Sequence, residues 1–398
     1  MGIFSGKRVG LAVCGGIAAY KTAELASLLV KKGFNVFPIM TRSATDFLQP
    51  LTLEALTGNP VMVSGLDART PGGMDHINLV RELDVLVIAP LTANTAAKLA
   101  HGHADQFLGA AYLACRGPKL ACPAMNTAML EHPATVRNLR ILEGDGVVMC
   151  MGEPGVLACG EVGMGRLAEP AVILEYIEEL ALENHSTLKG KKILINAGPT
   201  VEDVDPVRFL SNRSSGKMGF ALARAFRNLG AHVTLVHGPV HIPTPANLEC
   251  IAVRSASDMA DACLERYPQV DMAILSAAVA DFSPEPSDRK LKKTAFQGQL
   301  HLHRTVDILK TMGKRKQPHQ TLVGFAAETH DEKQFAQTKL QEKNADVIFC
   351  NTVGGDRYGF GCDENQVLAL TREGGETELG PATKEDLAYE MVRFLAEH

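Results

Sequence analysis

The stretch "RVGLAVCGGIAAYKTAELASLLVKKG" (residues 8–33) decides how the rest of the chain is read. "RVGLAVCG" is apolar on consecutive positions rather than alternating, the pattern of a strand buried on both faces. "AAYKTAELASLLVKKG" then changes to helical spacing and stops at Gly33. Strand, glycine turn and helix together open a βαβ unit, which requires a parallel sheet with helices against it. The same alternation recurs outward. "NVFPIMT" (35–41), "DVLVIAP" (84–90), "PKLACPAM" (118–125) and "VVMC" (147–150) read as strands. "TANTAAKLA" (92–100), "HPATVRNLRILEGDG" (132–146) and "PAVILEYIEELALEN" (170–184) read as helices. "HSTLKGKK" (185–192) has no apolar periodicity, and a second cycle starts at "ILINAGPT" (193–200). It continues through helices at 219–230, 257–268, 331–345 and 384–398 and strands at 232–238, 271–281, 321–329, 346–351 and 365–371. The expected fold class is α/β, with two Rossmann-like doubly wound domains over residues 1–188 and 189–398.

Composition narrows the function. A length of 398 residues favours two or three domains over one. Formal net charge is −5 with 21% charged residues, so there is no basic field to hold nucleic acid. Apolar runs are of strand length, far short of a membrane span, and "MGIFSGKRVGLAVCGG" (1–16) shows no signal-peptide apolar segment. Nine cysteines without C-x-x-C spacing argue against a disulfide framework or a zinc site. A cytoplasmic enzyme with reduced thiols is the expectation.

In the first half, Gly15 and Gly16 stand where a strand turns into a helix, a place for backbone N–H groups to receive phosphate. A simple tight turn is the other reading, because G-x-G-x-x-G is missing and no acid is placed for a dinucleotide ribose. "APLTANTAAKLAHGHADQFL" (89–108) puts Thr92, Asn94 and Thr95 at a strand end, where open α/β sheets bind ligands and where the same side chains also cap helices. Asn126 sits in "CPAMNTAML" (122–130), and Cys159 in "GVLACGEVGMGRLAEP" (155–170), whose glycines read as a flap that delivers a weak acid and excludes water. His76, in "MDHINLV" (74–80), is open to three readings: surface residue, metal ligand or base.

"GMDHINL" (73–79), "APLTANTAAKLAHGHAD" (89–105), "PAMNTAM" (123–129) and "GVLACGEVGMGR" (155–166), in that order, resemble the flavin-dependent cysteine decarboxylases, in particular the phosphopantothenoylcysteine decarboxylases. The resemblance implies a flavodoxin-like subunit binding FMN, with Gly15, Gly16, Thr41, Thr92 and Asn94 at the flavin and sites assembled between subunits of a trimer. It implies His76 as base, Asn126 as the group binding the departing carboxylate and Cys159 as proton donor. Decarboxylation without pyridoxal phosphate needs another electron sink. A flavin supplies one by oxidising the cysteine end of the substrate to a thioaldehyde and later returning hydride. The family commonly carries serine in the opening turn, where this chain has "CGGI" (14–17).

In the second half, "SNRSSGKMG" (211–219) leads into a helix with Arg208 and Arg213 close by, a setting for phosphate or carboxylate, although no P-loop motif is present. "SPEPSDRKLKK" (283–293) is a charged, proline-bearing loop, which a solvated charge run would also explain. Taken together, "GPTVEDVDPVRFLSNRSSGKMG" (198–219), "SAAVADF" (276–282), "KLKK" (290–293) and "VGFAAET" (323–329) resemble the phosphopantothenate–cysteine ligases. Decarboxylase before ligase is the order in the bacterial bifunctional enzymes of coenzyme A synthesis. The resemblance implies CTP and Mg²⁺, an acyl-cytidylate, and displacement of CMP by cysteine. Lys290 would help form that intermediate, with Arg208 and Asn212 acting on it. Asp281, Phe325, Lys339, Lys343 and the segment Thr305, Val306, Asp307, Ile308 would contact the nucleotide. Here the chain reads "RTVDIL" (304–309) against the family's usual N-P-D-I. Implied partners are 4′-phosphopantothenate, cysteine and CTP, within a homo-oligomer of decarboxylase trimers and ligase dimers for which a dodecamer is one closed combination.

Overall fold

The consecutive apolar residues of "RVGLAV" form a strand whose last five residues are buried, and sheet order follows from what pairs with it. The computed structural model describes residues 2–63, 75–157, 160–182, 188–292, 299–328, 332–352 and 363–397. The chain divides into two compact units, Met1–Asn184 and His185–His398.

In the first unit β1 (Arg8–Val13), β2 (Asn35–Met40), β3 (Val85–Leu91), β4 (Lys119–Pro123) and β5 (Val147–Met149) form a parallel sheet of order β2-β1-β3-β4-β5. That is the flavodoxin-like order, with its switch point between β1 and β3. The crossovers are α1 (Lys21–Lys31), α2 (Pro50–Thr57), α3 (Asp75–Arg81), α4 (Ala93–Ala100), α5 (Phe107–Ala114), α6 (Thr127–Glu131) and α7 (Pro133–Gly144). A two-residue ladder, β6 (Gly155–Val156) against β7 (Val162–Gly163), precedes α8 (Pro170–Leu182). Every residue of β3 is buried, as a strand covered on both faces requires.

The second unit runs β8 (Lys192–Ala197), β9 (Val201–Asp205), β10 (Arg208–Ser211), α9 (Lys217–Asn228), β11 (His232–His237), β12 (Glu249–Ala252), α10 (Ala256–Arg266), β13 (Met272–Leu275), β14 (Phe282–Pro284), β15 (Leu302–Arg304), α11 (Ile308–Arg315), β16 (Thr321–Glu328), α12 (Glu332–Glu342), β17 (Val347–Thr352), β18 (Glu364–Thr371), β19 (Glu376–Thr383) and α13 (Lys384–Glu397). Its main sheet has the order β12-β11-β8-β13-β16-β17-β18-β19. The first six of these strands are parallel and, counted along the chain, lie in the Rossmann order 3-2-1-4-5-6. β18, expected as a strand over 365–371, and β19, which the sequence pattern did not suggest, extend that sheet antiparallel.

Two further differences have physical causes. "DMAILSAAVAD" reads as one long strand, yet β13 ends at Leu275. Ser276 bonds from its hydroxyl to the Asn196 carbonyl at 2.6 Å, and the Ala278 and Ala280 amides donate to the Gly198 carbonyl and the Thr200 hydroxyl at 2.9 and 3.0 Å. Small side chains let this segment follow the turn after β8 instead of pairing onward. The hairpin β9–β10 was also missed, because its strands show no apolar face to solvent-side alternation and β10 is largely exposed.

Candidate active sites

The β1–β3 switch point gathers the ends of three strands. At Gly15 a side chain would place Cβ 2.4 Å from the Ser43 hydroxyl and 2.7 Å from the Ser43 backbone, so glycine is what lets the turn close there. Gly16 precedes the helical turn Ile17–Tyr20 and gives it no side-chain cap, which leaves that turn's first amides without a side-chain acceptor. Thr41 follows β2, is positioned by its amide donating a hydrogen bond to the Val13 carbonyl at 3.0 Å, and has its hydroxyl 3.3 Å from that of Ser43. Thr92 caps α4 by accepting from the Thr95 amide. Asn94 lines a small cavity of about 40 Å³ with Thr41, Ser43 and His103. Cys14, one residue before the glycines, lies inside; burial pushes its thiol up to about 11, despite hydrogen bonds with the Thr95 side chain and Thr92 backbone.

Asn126 follows β4 and caps α6, its carbonyl oxygen accepting from the Ala128 amide at 2.9 Å. Its Nδ2 donates to the Glu161 carboxylate at 2.7 Å. Glu161 belongs to the glycine-rich segment around β6 and β7, which is fastened to the Asn126 loop at two more points. The Met125 amide donates to the Gly165 carbonyl at 3.0 Å, and the Thr127 hydroxyl to the Met164 carbonyl at 2.7 Å. Gly165 has φ +122° and an added Cβ would stand 2.1 Å from the Met125 carbonyl oxygen. The expected flap thus lies directly against the Asn126 loop at its base. Cys159 lies outside the described residues. His76 falls in the first turn of α3, and its side chain lies outside them as well.

In the second unit an open cleft of about 710 Å³ lies beside the ends of β13 and β16. Asp281 and the segment Thr305–Val306–Asp307–Ile308 line it on one side, and Phe325, Lys339 and Lys343 on another. Thr305 is fixed by its hydroxyl on the Ala280 carbonyl at 2.6 Å and its amide on the Asp281 carbonyl at 3.0 Å. Val306 is 47% exposed. Asp307 caps α11 through the Lys310 amide at 2.8 Å and is ion-paired with Lys343. Burial pushes the Asp307 carboxyl up, but the Lys343 ammonium, the Lys310 amide and Lys339 outweigh it and hold it below the usual range. Lys339 donates to the Phe325 carbonyl at 2.7 Å. These eight expected positions, drawn from distant parts of the chain, are therefore neighbours.

Lys290 is exposed and does not line that cleft. Arg208 pairs with Asp205 and also donates to the Leu291 carbonyl at 2.8 Å, which ties β10 to the loop bearing Lys290. Asn212 donates from Nδ2 to the carbonyls of Ala278 and Val279, both at 3.1 Å, and so holds the segment leading to Asp281. Lys217, which opens α9, is paired with Asp363 at 2.6 Å. Sequence reasoning missed Ser43, Glu161 and Asp205. Ser43 had a signal, a small hydroxyl two residues past a strand end. Asn126 is 35 residues from Glu161 and Leu291 is 86 from Asp205, and these long-range contacts left none.

Among known proteins, residues 4–182 match the flavoprotein family, and residues 188–398 match the DNA/pantothenate metabolism flavoprotein C-terminal domain. The coenzyme A biosynthesis bifunctional protein CoaBC of Bacillus subtilis (strain 168) is 44% identical over 397 residues, covering 99% of this chain and 98% of that protein. A cysteine/cysteine sulfinic acid decarboxylase from an unknown prokaryotic organism is 42% identical over 351 residues, 87% of this chain and 98% of that protein. The crystal structure of the C-terminal domain of a coenzyme A biosynthesis bifunctional protein is 42% identical, with TM-score 0.46, covering 53% of this chain and 96% of that one.

Proposed function

This chain belongs to the family of bifunctional coenzyme A biosynthesis proteins, and from that premise we propose that its second unit joins cysteine to 4′-phosphopantothenate with CTP, and its first decarboxylates the product to 4′-phosphopantetheine. It is an enzyme with a flavoprotein decarboxylase half and a ligase half. The observation that carries the reading is the cleft of about 710 Å³ around which Asp281, residues 305–308, Phe325, Lys339 and Lys343 converge.

For ligation, a carboxylate oxygen of 4′-phosphopantothenate attacks the α-phosphorus of CTP and the bond to pyrophosphate breaks. The cysteine amine then attacks the acyl carbon, and CMP leaves. Lys339 and Lys343, already held at the cleft, meet the negative charge of the triphosphate, and Lys290 and Arg208 meet the charge that develops as pyrophosphate departs. Mg²⁺ binds chiefly through substrate phosphates and one or two carboxylates. Asp281 in the cleft suits that role, whereas Asp307 is engaged by Lys343.

For decarboxylation, the donor set at the β1–β3 switch point suits FMN: a side-chain-free turn at Gly15 and Gly16 for the phosphate, with the hydroxyls of Thr41 and Thr92 and the amide of Asn94 at neighbouring strand ends. Bound flavin supplies reversible two-electron oxidation of the cysteine moiety. The chain's own residues do the rest. The Asn126 amide, which already grips one carboxylate, Glu161, suits the substrate carboxylate. The segment 155–166 covers it and excludes water. His76 takes a proton from the substrate thiol end, and Cys159 returns one to the product.

The proposed location is the cytoplasm; no helix among the described residues is long and apolar enough to cross a membrane. The proposed assembly is trimeric through the first unit and dimeric through the second; Ile17, Tyr20, Leu113 and Met129 in the first and Val207, Phe209 and Phe282 in the second are large exposed apolar side chains that subunit contacts would cover. The test is one assay. Purified protein receives 4′-phosphopantothenate, cysteine and CTP, and pyrophosphate, CMP and CO₂ are followed, with free cysteine alone as a separate arm. CTP-independent ligation, or CO₂ from free cysteine in place of the phosphopantothenoyl conjugate, would overturn the proposal.

A further inference from the structure

Asp205 ends β9 with its side chain 0% exposed, yet nothing about a hairpin turn requires that much burial. In "DPVR" (205–208) an aspartate that only closed its own turn would accept from the amides two and three residues on. Asp205 does so with one oxygen, Oδ1, which receives the Val207 and Arg208 amides at 2.9 and 3.0 Å. Its other oxygen points elsewhere. Oδ2 accepts from the Arg208 guanidinium, Nε at 3.0 Å and also Nη2, and from the Leu291 amide at 3.1 Å. The same Nη2 donates to the Leu291 carbonyl at 2.8 Å. Leu291 is thus held by its N–H on Asp205 and by its C=O on Arg208. A third tie, the Ser287 amide to the Val204 carbonyl at 3.0 Å, anchors the loop three residues before Lys290. Lys290 therefore projects, exposed, from a short span fixed at both ends.

We propose that Asp205 is a positioning residue of the ligase reaction: by holding the Arg208 guanidinium and the Leu291 backbone together, it fixes where Lys290 meets the reacting phosphate. The proposal rests on the ligase reading of Lys290 and Arg208 given above. The hydrogen bond from Arg208, opposed by burial and helped by the three amides, holds the Asp205 carboxyl well below the usual carboxylate range. The anchor is consequently a carboxylate at every working pH. A long lysine on an untethered loop would spend much of its time away from the phosphate, and ordering it in advance removes that entropic cost from the chemical step.

Asp205→Asn separates the two halves of the carboxylate. The remaining carbonyl oxygen can still take the Val207 and Arg208 amides, so the turn persists. The new NH₂ faces the Leu291 N–H and the guanidinium, where donor meets donor. Pyrophosphate release from CTP and 4′-phosphopantothenate should lose about 10- to 100-fold in kcat, the range for a misplaced catalytic group. KM for CTP should stay within about 2-fold, because a loss confined to the transition state appears in kcat. In a Lys290→Gln background the same change should cost clearly less than in the wild-type background, since Lys290, one of the two groups acted through, is gone and only the effect on Arg208 remains. CO₂ release by the same preparation reports that the chain is folded. An equal loss in both backgrounds, a rise in KM with kcat unchanged, or no loss at all would each overturn the proposal. If Lys290→Gln alone has the wild-type rate, the ligase reading of Lys290 fails and takes the proposal with it, a pattern distinct from the other three.

Discussion

Gly165→Ala tests whether the register between the glycine-rich segment and the Asn126 loop governs decarboxylation. The residue has φ +122°, a conformation that costs an L side chain roughly 1–3 kcal/mol. Its new Cβ would stand 2.1 Å from the Met125 carbonyl oxygen, and that oxygen is backbone and cannot swing aside. Ordinary C···O contacts begin near about 3.3 Å, so the two strands of chain must part by about 1 Å. Parting them breaks the Met125–Gly165 hydrogen bond, worth about 1 kcal/mol. Together these give roughly 2–4 kcal/mol of local destabilisation confined to one edge of the first unit. An active-site displacement of that size costs about 100-fold in rate. The assay is CO₂ release from saturating 4′-phosphopantothenoylcysteine, with flavin content read by absorbance and CTP-dependent pyrophosphate release as a control in the same chain. Flavin should remain, ligation should be near wild type, and decarboxylation should fall by about two orders of magnitude. Gly163→Ala gives the graded comparison: its Cβ would meet only side-chain atoms of Thr127, the hydroxyl at 2.5 Å and Cγ2 at 3.2 Å, and no backbone, so its cost is the Thr127–Met164 hydrogen bond rather than a parting of the two chain segments. Decarboxylation within about 2-fold of wild type in Gly165→Ala would refute the claim that a 1 Å shift here matters.

Three further outcomes are expected. His76→Asn should keep flavin and lower decarboxylation at least ~100-fold, the low end for loss of a general base; a near-normal rate would return His76 to the surface-residue reading. Asp307→Asn should lower the stability of the second unit by an amount that is constant above about pH 5 and shrinks below about pH 4 in chemical unfolding. The sign follows because the Asp307 carboxyl is held below its unfolded value, so its contribution is complete above that value and is lost as pH falls through the folded one. A difference that grows with acid would contradict it. Cys14, Cys122 and Cys263, all buried and with thiols raised by burial, should resist iodoacetamide at pH 8 in the native protein and react on unfolding, as peptide masses would show.

How much was legible depended on whether the information was local. Parallel strands covered on both faces leave continuous apolar runs, so β1, β3, β8 and β16 could be seen in the sequence. Their lateral order could not, because crossover geometry is not written in any one run; both orders emerged only from pairing. β19, "ETELGPAT", hid for another reason: at the sheet edge its residues are mostly exposed, and no apolar period survives. The sites divide the same way. Gly15 and Gly16 were visible as a turn. That Thr305, Phe325 and Lys343 share a cleft was legible only through family resemblance, since their elements are separated by whole crossovers. Asp205 was illegible as an anchor, because Leu291 reaches it from 86 positions away.

The two units place their sites at strand ends but furnish them differently, with more cations in the second, and the difference matches the chemistry proposed for each. Thr41, Ser43, Thr92, Asn94 and Asn126 carry no formal charge, Lys98 and Asp105 beside the small cavity are paired with each other, and Glu161 is an acid that an incoming carboxylate has to displace from the Asn126 amide. Decarboxylation creates and spreads negative charge within a substrate already holding a redox partner, so hydrogen bonds suffice. Nucleotidyl transfer instead concentrates charge on a leaving pyrophosphate, and the second unit supplies Arg304, Lys310, Lys339 and Lys343 around one cleft. Two of those cations are held before any ligand arrives: Lys339 on the Phe325 carbonyl, Lys343 on Asp307. A partly exposed pair of this kind is worth little, on the order of 0–1 kcal/mol. On the proposed reading, a triphosphate draws Lys343 away from Asp307 at small cost and meets a cation already held at the cleft.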